Sequence, residues 1–156
     1  MASIEIPNYR KLNIKHIVCD YNGTIAKDGK LLPDVKDIFK LLTKNYKIHV
    51  ITADTFGTVK KELETVDVTV KILTTSDHTQ EKSDYIKILG SKNCVSIGNG
   101  NNDIKMLQES ALSIAIIGDE GCATSTLIES DIVCKSINDA LLLFLKQKRL
   151  TATLRR

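Results

Sequence analysis

Several function classes are closed to this 156-residue chain by what it lacks. Its four cysteines, Cys19, Cys94, Cys122 and Cys134, stand far apart and include no C-x-x-C pair, which excludes zinc-finger spacing and a disulfide framework. Three of them adjoin apolar runs, so reduced, buried thiols are expected. No apolar run approaches the roughly 20 residues that cross a bilayer, and the first residues carry no charged-then-apolar segment of the signal-peptide kind. No membrane association and a cytoplasmic location are therefore expected. Neither sign of charge dominates: 22 basic residues stand against 19 acidic ones, and part of the net +3 lies in the last eleven residues. That balance leaves no nucleic-acid footprint. No repeat, low-complexity stretch or internal linker divides the chain, so residues 1–156 are expected to form one domain, large enough to remove roughly two thirds of its unfolded surface from water.

What is present is an alternation of short apolar runs and amphipathic segments. The run Ile17-Val18-Cys19 ends at Asp20 and breaks into Tyr21-Asn22-Gly23-Thr24, as a strand buried on both faces would. In open α/β sheets ligands collect beyond the carboxyl ends of such strands, which puts Asp20 where substrates bind. Taken alone, Asp20 is better read as a turn or capping aspartate; three further loops change that balance. Residues 1–15 contain Pro7 and read as an extended lead-in or edge strand. Asp28-Gly29 between short apolar segments predicts a tight hairpin, a flap beside Asp20. Pro33-Asp34 then opens a helix with Val35, Ile38, Phe39 and Leu42 on one buried face.

Lys47 to Thr52 reads as the next strand, ending in Thr52-Ala53-Asp54-Thr55, a hydroxyl- and carboxylate-bearing turn. A helix from Thr55 to about Thr65 buries Val59, Leu63 and Val66, and Val68 to Leu73 forms another strand. The polar stretch Thr74 to Gln80 leads into a helix over Glu81 to Leu89 with Lys82 in its first turn. A cation there opposes the helix dipole, which points either to a buried anion beside it or to an ordinary solvated lysine. Cys94 to Ile97 is a fourth strand. It runs into Gly98-Asn99-Gly100-Asn101-Asn102-Asp103, a loop suited to cation or phosphate contacts or to a plain Asn-Gly turn with an aspartate cap. It lacks the third glycine of a dinucleotide fingerprint. The following helix should bury Ile104, Leu107 and Ala111. Leu112 to Ile116, Ile132 to Val133 and a last helix with Ile137, Ala140, Leu141, Phe144 and Leu145 complete the pattern, and Lys146 to Arg156 reads as a basic, partly solvated tail. The expected architecture is α/β: a Rossmann-like, doubly wound, mainly parallel sheet with a small β-hairpin flap and no cap domain.

A carboxylate, a hydroxyl, a lysine and a Gly/Asn/Asp loop thus fall at successive strand ends, the set that phosphoryl transfer needs: Asp20 to attack phosphorus, Thr52 to bind a phosphoryl oxygen, Lys82 to offset charge, Asp103 to help hold magnesium. At this point the sequence resembles the haloacid dehalogenase superfamily, whose first motif, Asp-x-Asp-Gly-Thr, is met by Asp20 to Thr24. Thr52 and Lys82 are similar to its second and third motifs, and Gly98 to Asp103 to its fourth, Gly-Asp-Gly-x-Asn-Asp. Within it the chain looks most like the soluble, capless group related to P-type ATPases. The resemblance implies an aspartyl-phosphate intermediate and a magnesium ion at Asp20, the carbonyl of Asn22, Asp103 and the Asn99 position. It also implies phosphate held by Thr52, Ala53, Lys82 and Gly23. Asn22 stands where the family has its acid–base aspartate, and an amide cannot shuttle a proton at neutral pH. Slow hydrolysis is expected. Asn99 replaces a metal carboxylate, so weaker magnesium binding is expected. The reading is a magnesium-dependent phosphatase or phosphotransferase acting on a small phosphomonoester. Its specificity would come from the flap, from Phe56, or from a neighbouring subunit of a homo-oligomer. A degenerate relative that binds a phosphorylated ligand or protein with little turnover is the alternative. A response-regulator receiver ranks last, because no acidic pair precedes the candidate nucleophile.

Overall fold

Side chains alternate across a strand, so one residue in two along an apolar run must find cover on each side of the sheet. The strand that ends at Asp20 is buried at all five positions, which requires helices on both faces. The computed structural model, which describes residues 1–54 and 57–156, supplies them. In chain order its elements are β1 (Ala2–Ile6), β2 (Arg10–Ile14), β3 (His16–Asp20), β4 (Ala26–Lys27), β5 (Lys30–Leu31), α1 (Val35–Leu42), β6 (Lys47–Thr52), α2 (Val59–Leu63) and β7 (Val68–Ile72). There follow α3 (His78–Leu89), β8 (Cys94–Gly98), α4 (Ile104–Glu109), β9 (Leu112–Ile116), α5 (Thr124–Ile128), β10 (Ile132–Cys134), α6 (Ile137–Leu145) and α7 (Gln147–Leu154).

Six strands form one parallel sheet in the order β10-β9-β8-β3-β6-β7. The chain leaves β3 first toward β6 and later returns to its other side as β8, so the order reverses at β3. The crevice of a doubly wound sheet opens at such a reversal, beyond the carboxyl ends of the strands. On one face Ile17, Cys19, Ile48 and Val50 pack with Val35, Phe39, Leu42 and Phe144 of α1 and α6. On the other, Val18 and Ile51 pack with Ile86 of α3, Met106 of α4 and Leu73. Between β3 and α1 stands only the β4–β5 hairpin, whose Asp28 and Gly29 both have positive φ as a two-residue turn demands. No cap domain is inserted there, and only residues 73–77 separate β7 from α3.

Several expectations need correcting. Residues 2–14 are neither a lead-in nor an edge of the main sheet but a separate antiparallel hairpin, with Pro7 in its turn and Ile4, Ile6, Leu12 and Ile14 buried. In the helix after β6, Val59 is the first residue; Thr55 and Phe56 lie outside the described residues, as does the specificity role expected of Phe56. The helix carrying Lys82 begins at His78, capped by the Asp77 carboxylate on the Gln80 N–H, so Lys82 sits in the second turn and the dipole argument does not apply to it. In α4 the buried residues are Met106 and Leu107, with Ile104 only half-buried and Ala111 beyond the helix. The basic tail is the helix α7, which buries Leu150; Arg156 stacks on the Tyr9 ring and donates its N–H to the Pro7 carbonyl. Cys19 and Cys94 are buried free thiols, and Cys122 and Cys134 are half-buried. Among the described residues no helix is long and apolar enough to cross a membrane.

One buried polar chain lies on the α3 face: His16 Nδ1 is 2.9 Å from His49 Nε2, and His49 Nδ1 is 2.9 Å from the Tyr85 hydroxyl. Burial, then the neighbouring His16 and Lys47, lower the His49 pKa to about 4, and His16 is lowered by burial and by Lys15 and Lys47. A base whose folded pKa is depressed binds protons more readily when unfolded, so the stability it confers is present above its unfolded pKa and lost as pH falls. The His49 contribution to unfolding free energy is expected to decline between about pH 6.5 and 4, by on the order of 2 kcal/mol, while Asp20, with its pKa raised to about 6, contributes in the opposite sense. Denaturant titrations of the wild type and His49→Gln across that range measure it as the difference between their slopes.

Candidate functional site

Asp20 shares the parity of His16 and Val18 and so faces α3. On α3, Lys82 and Ile86 are one turn apart and both point at the sheet. The result is a buried charge cluster: Lys82 Nζ lies 2.6 Å from Asp20 Oδ1 and 2.7 Å from Asp103 Oδ1. The lysine is 1% exposed and Asp103 is 0% exposed. Three residues spread over 84 positions of sequence therefore meet because β3, α3 and the loop after β8 converge at the sheet reversal.

The cluster has two carboxylates to one ammonium, and its electrostatics follow. Burial and the nearby Asp103 charge raise the Asp20 pKa to about 6, against the opposing pull of Lys82. Burial alone would lower the Lys82 pKa, but the charges of Asp20 and Asp103 outweigh it and hold the ammonium firmly protonated.

Asp103 is fully engaged. Its Oδ1 takes the lysine, and its Oδ2 accepts the N–H groups of Asn99 (3.0 Å) and Gly100 (2.9 Å), shaping the loop that follows β8. Gly98 is obligatory for this fold-back, since a Cβ there would come within 2.5 Å of Asp103 Cγ. Asn99 is held in turn by its Nδ2, which donates to the Gly121 carbonyl.

The Thr24 hydroxyl sits 3.3 Å from Asp20 Oδ2 and 3.2 Å from Asn99 Oδ1, so one hydrogen serves two acceptors. Gly23 packs against the Asn99 amide and the Glu120 carboxylate, where a Cβ would meet both at under 3 Å, and its φ of +80° suits glycine. The Asn22 amide oxygen accepts the Gly29 N–H at 3.2 Å and so ties the flap tip down. The Gly29 carbonyl accepts from the Tyr21 and Thr58 hydroxyls. At the end of β6 the Thr52 hydroxyl accepts the Asp54 N–H at 2.9 Å, turning the chain through the positive φ of Asp54.

Asp20, Asn22, Thr52, Ala53, Lys82 and Asn99 line a single cavity of about 270 Å³. Asp103 lies behind its wall through Lys82, and Gly23 lines a second, smaller cavity of about 120 Å³ next to the flap. The structure thus brings Asp20, Asn22, Gly23, Thr52, Ala53, Lys82, Asn99 and Asp103 to one end of the sheet. It also adds residues that were not singled out: Thr24 between Asp20 and Asn99, and His78, Asn102 and Glu120 on the cavity wall. Thr24 was within the motif and could have been found there. His78 becomes legible only once Asp77 is recognised as the helix cap, which puts it on the same helix as Lys82, one turn earlier. For Glu120, in an irregular loop after β9, the sequence carries no signal.

Among the described residues no group of three or more His, Cys, Asp or Glu side chains gathers with metal-binding geometry.

No protein-family model matches the chain. The uncharacterized protein MJ0073 of Methanocaldococcus jannaschii is 52% identical over 65 residues, which are 42% of this chain and 70% of that protein. The 3-deoxy-D-manno-octulosonate 8-phosphate phosphatase of Moraxella catarrhalis, solved with magnesium, phosphate and KDO, superposes with a TM-score of 0.72. The match covers 92% of this chain and 94% of that one at 18% identity. A haloacid dehalogenase-like hydrolase of Streptococcus pneumoniae superposes with a TM-score of 0.65 over 85% of this chain and 99% of that one, at 11% identity. The fold is therefore that of the haloacid dehalogenase superfamily, and by sequence the chain belongs to the same family as MJ0073.

Proposed function

We propose that the protein is a phosphoric monoester hydrolase, a phosphatase or phosphotransferase of low intrinsic rate that uses Asp20 as its nucleophile and magnesium as its cofactor. The observation that carries the reading is the lysine held between two buried carboxylates at the mouth of the sheet reversal. In this reading an Asp20 oxygen attacks the phosphorus of a small phosphomonoester and the bond from phosphorus to the leaving oxygen breaks, giving an aspartyl phosphate. Lys82 and the Thr52 hydroxyl offset charge on the phosphoryl oxygens, with the Ala53 and Gly23 backbones beside them. Water then attacks phosphorus, the carboxylate leaves, and inorganic phosphate is released. A structural neighbour solved with magnesium and phosphate lends this reading support.

The residues fit a hard cation. Asp20 Oδ2 and Asn99 Oδ1 share one hydroxyl hydrogen, and the cluster behind them has an excess of negative charge, so a divalent ion at these oxygens and the Asn22 carbonyl would supply the missing positive charge. Bound there, magnesium contributes charge neutralisation of the phosphoryl group. Asp103, with both oxygens taken, serves this site by fixing Lys82 and the Asn99 loop. The amide at Asn99 in place of a carboxylate keeps the affinity modest. The absence of a cap leaves the cavity mouth open, and a second copy of the chain is the proposed cover.

The test is phosphate release from a panel of small phosphomonoesters with and without magnesium. Asn22→Asp is expected to raise turnover by about 10-fold or more, because general acid–base help is worth roughly 10²- to 10⁴-fold and the new carboxyl must give up the flap contact to provide it. An unchanged or lower rate in a folded Asn22→Asp protein would count against the assigned geometry. The alternative, a binding protein with little turnover, is favoured by the engagement of Asn22 with the flap. It is the outcome if phosphate protects the protein from unfolding yet no ester is hydrolysed.

A further inference from the structure

We propose that His78 is a proton donor and acceptor of this site, supplying part of the proton transfer that an amide at residue 22 cannot. The inference rests on the phosphatase reading above and deepens it.

Of the cavity-lining side chains, Asp20, His78, Lys82 and Glu120 can carry a proton. Asp20 is the nucleophile. Lys82 is clamped between two carboxylates at 2.6 and 2.7 Å, and giving up its proton would leave two buried anions facing each other. Glu120 is exposed on the irregular loop after β9, with its carboxylate over Gly23. His78 is half-buried on the cavity wall, and its two ring nitrogens can each give or accept a proton.

Its place on the helix is right for the leaving group. His78 and Lys82 are four residues apart and therefore on one face of α3. In a parallel sheet the crossover helix runs back against the strands, so the start of α3 lies at the carboxyl end of the sheet, by the cavity mouth. His78 is thus displaced from Lys82 by roughly 6 Å along the helix axis toward the mouth. An in-line displacement puts the departing oxygen on the side of phosphorus away from Asp20, which is this outer side. In the first step the imidazolium proton passes to the departing alkoxide, giving the free alcohol and neutral imidazole. In the second the imidazole takes a proton from the attacking water as the bond from phosphorus to the Asp20 oxygen breaks.

The proposal separates substrates by their need for a proton. Rates of Asp20 phosphorylation are measured for the wild type, His78→Asn and Glu120→Gln, with an alkyl phosphomonoester and with p-nitrophenyl phosphate, whose phenolate departs without help. For His78→Asn the alkyl ester is expected to slow by about 10²-fold with little change in KM, while p-nitrophenyl phosphate stays within about threefold. Free imidazole in the buffer should restore part of the lost rate. An equal loss on both substrates, no loss on either, or the substrate-selective loss in Glu120→Gln instead would overturn the assignment to His78. Should His78→Asn not fold, His78→Gln serves, with the same outcomes. A wild type that forms no phosphoenzyme with either ester overturns the phosphatase reading itself, and the inference with it.

Discussion

Asp20→Asn is expected to lower phosphate release by about 10³- to 10⁶-fold, the range seen when a nucleophile is removed from an assembled site. The amide has nearly the same shape, so the lost function is nucleophilicity and charge rather than packing. Stability should change little. The variant removes one partner of Lys82, but it also removes the cost of a buried carboxylate facing Asp103, a cost visible in the raised pKa of Asp20, about 6. Thermal unfolding beside the wild type, together with steady-state phosphate release, measures both halves. A variant that keeps wild-type turnover would place the nucleophile elsewhere.

Lys82→Met is expected to lose both activity and stability. Methionine fills a similar volume but leaves Asp20 and Asp103 as two buried carboxylates without a counter-charge. Removing one partner of a buried ion cluster costs about 3–5 kcal/mol. For a chain of this length that corresponds to a fall in Tm on the order of 10 °C. The deficit is electrostatic, so it should shrink as pH falls. With the ammonium gone the carboxylates take up protons more readily in the folded state than in the unfolded one, and a group with a raised folded pKa gains stability toward low pH. A deficit that stays constant with pH would instead point to packing. The two variants are thus distinguished: one spares the fold and stops the chemistry, the other damages both.

Legibility from sequence followed the range of the physical signal. The strand ending at Asp20, the Asp28-Gly29 hairpin and the buried face of α1 are written in neighbouring residues, through burial on both sides, positive φ at a two-residue turn, and helical periodicity. The start of α3 was misplaced because Asp77 was read as part of a polar linker. In fact Glu81 reaches back to the Thr75 and Thr74 N–H groups and to Lys71, which lowers its pKa to about 2 and fixes the connection. The tail looked solvated because only Leu150 and Leu154, one turn apart, mark its inner side, and one of the elements α7 meets, β1, lies at the other end of the chain. The site was legible where side chains sit at strand ends. The engagement of Asp103 with backbone N–H groups, the link from Asn22 to the flap and the presence of Glu120 depend on tertiary geometry and left no pattern in the sequence.

The most direct measurement is the position of the covalent phosphate. The protein is incubated with magnesium and acetyl phosphate, reduced with borohydride to convert an aspartyl phosphate to homoserine, and digested for mass spectrometry. Homoserine at position 20, absent from Asp20→Asn, is the expected result. Phosphate on a serine, threonine or histidine, or an unmodified Asp20 in protein that releases phosphate, would contradict the account.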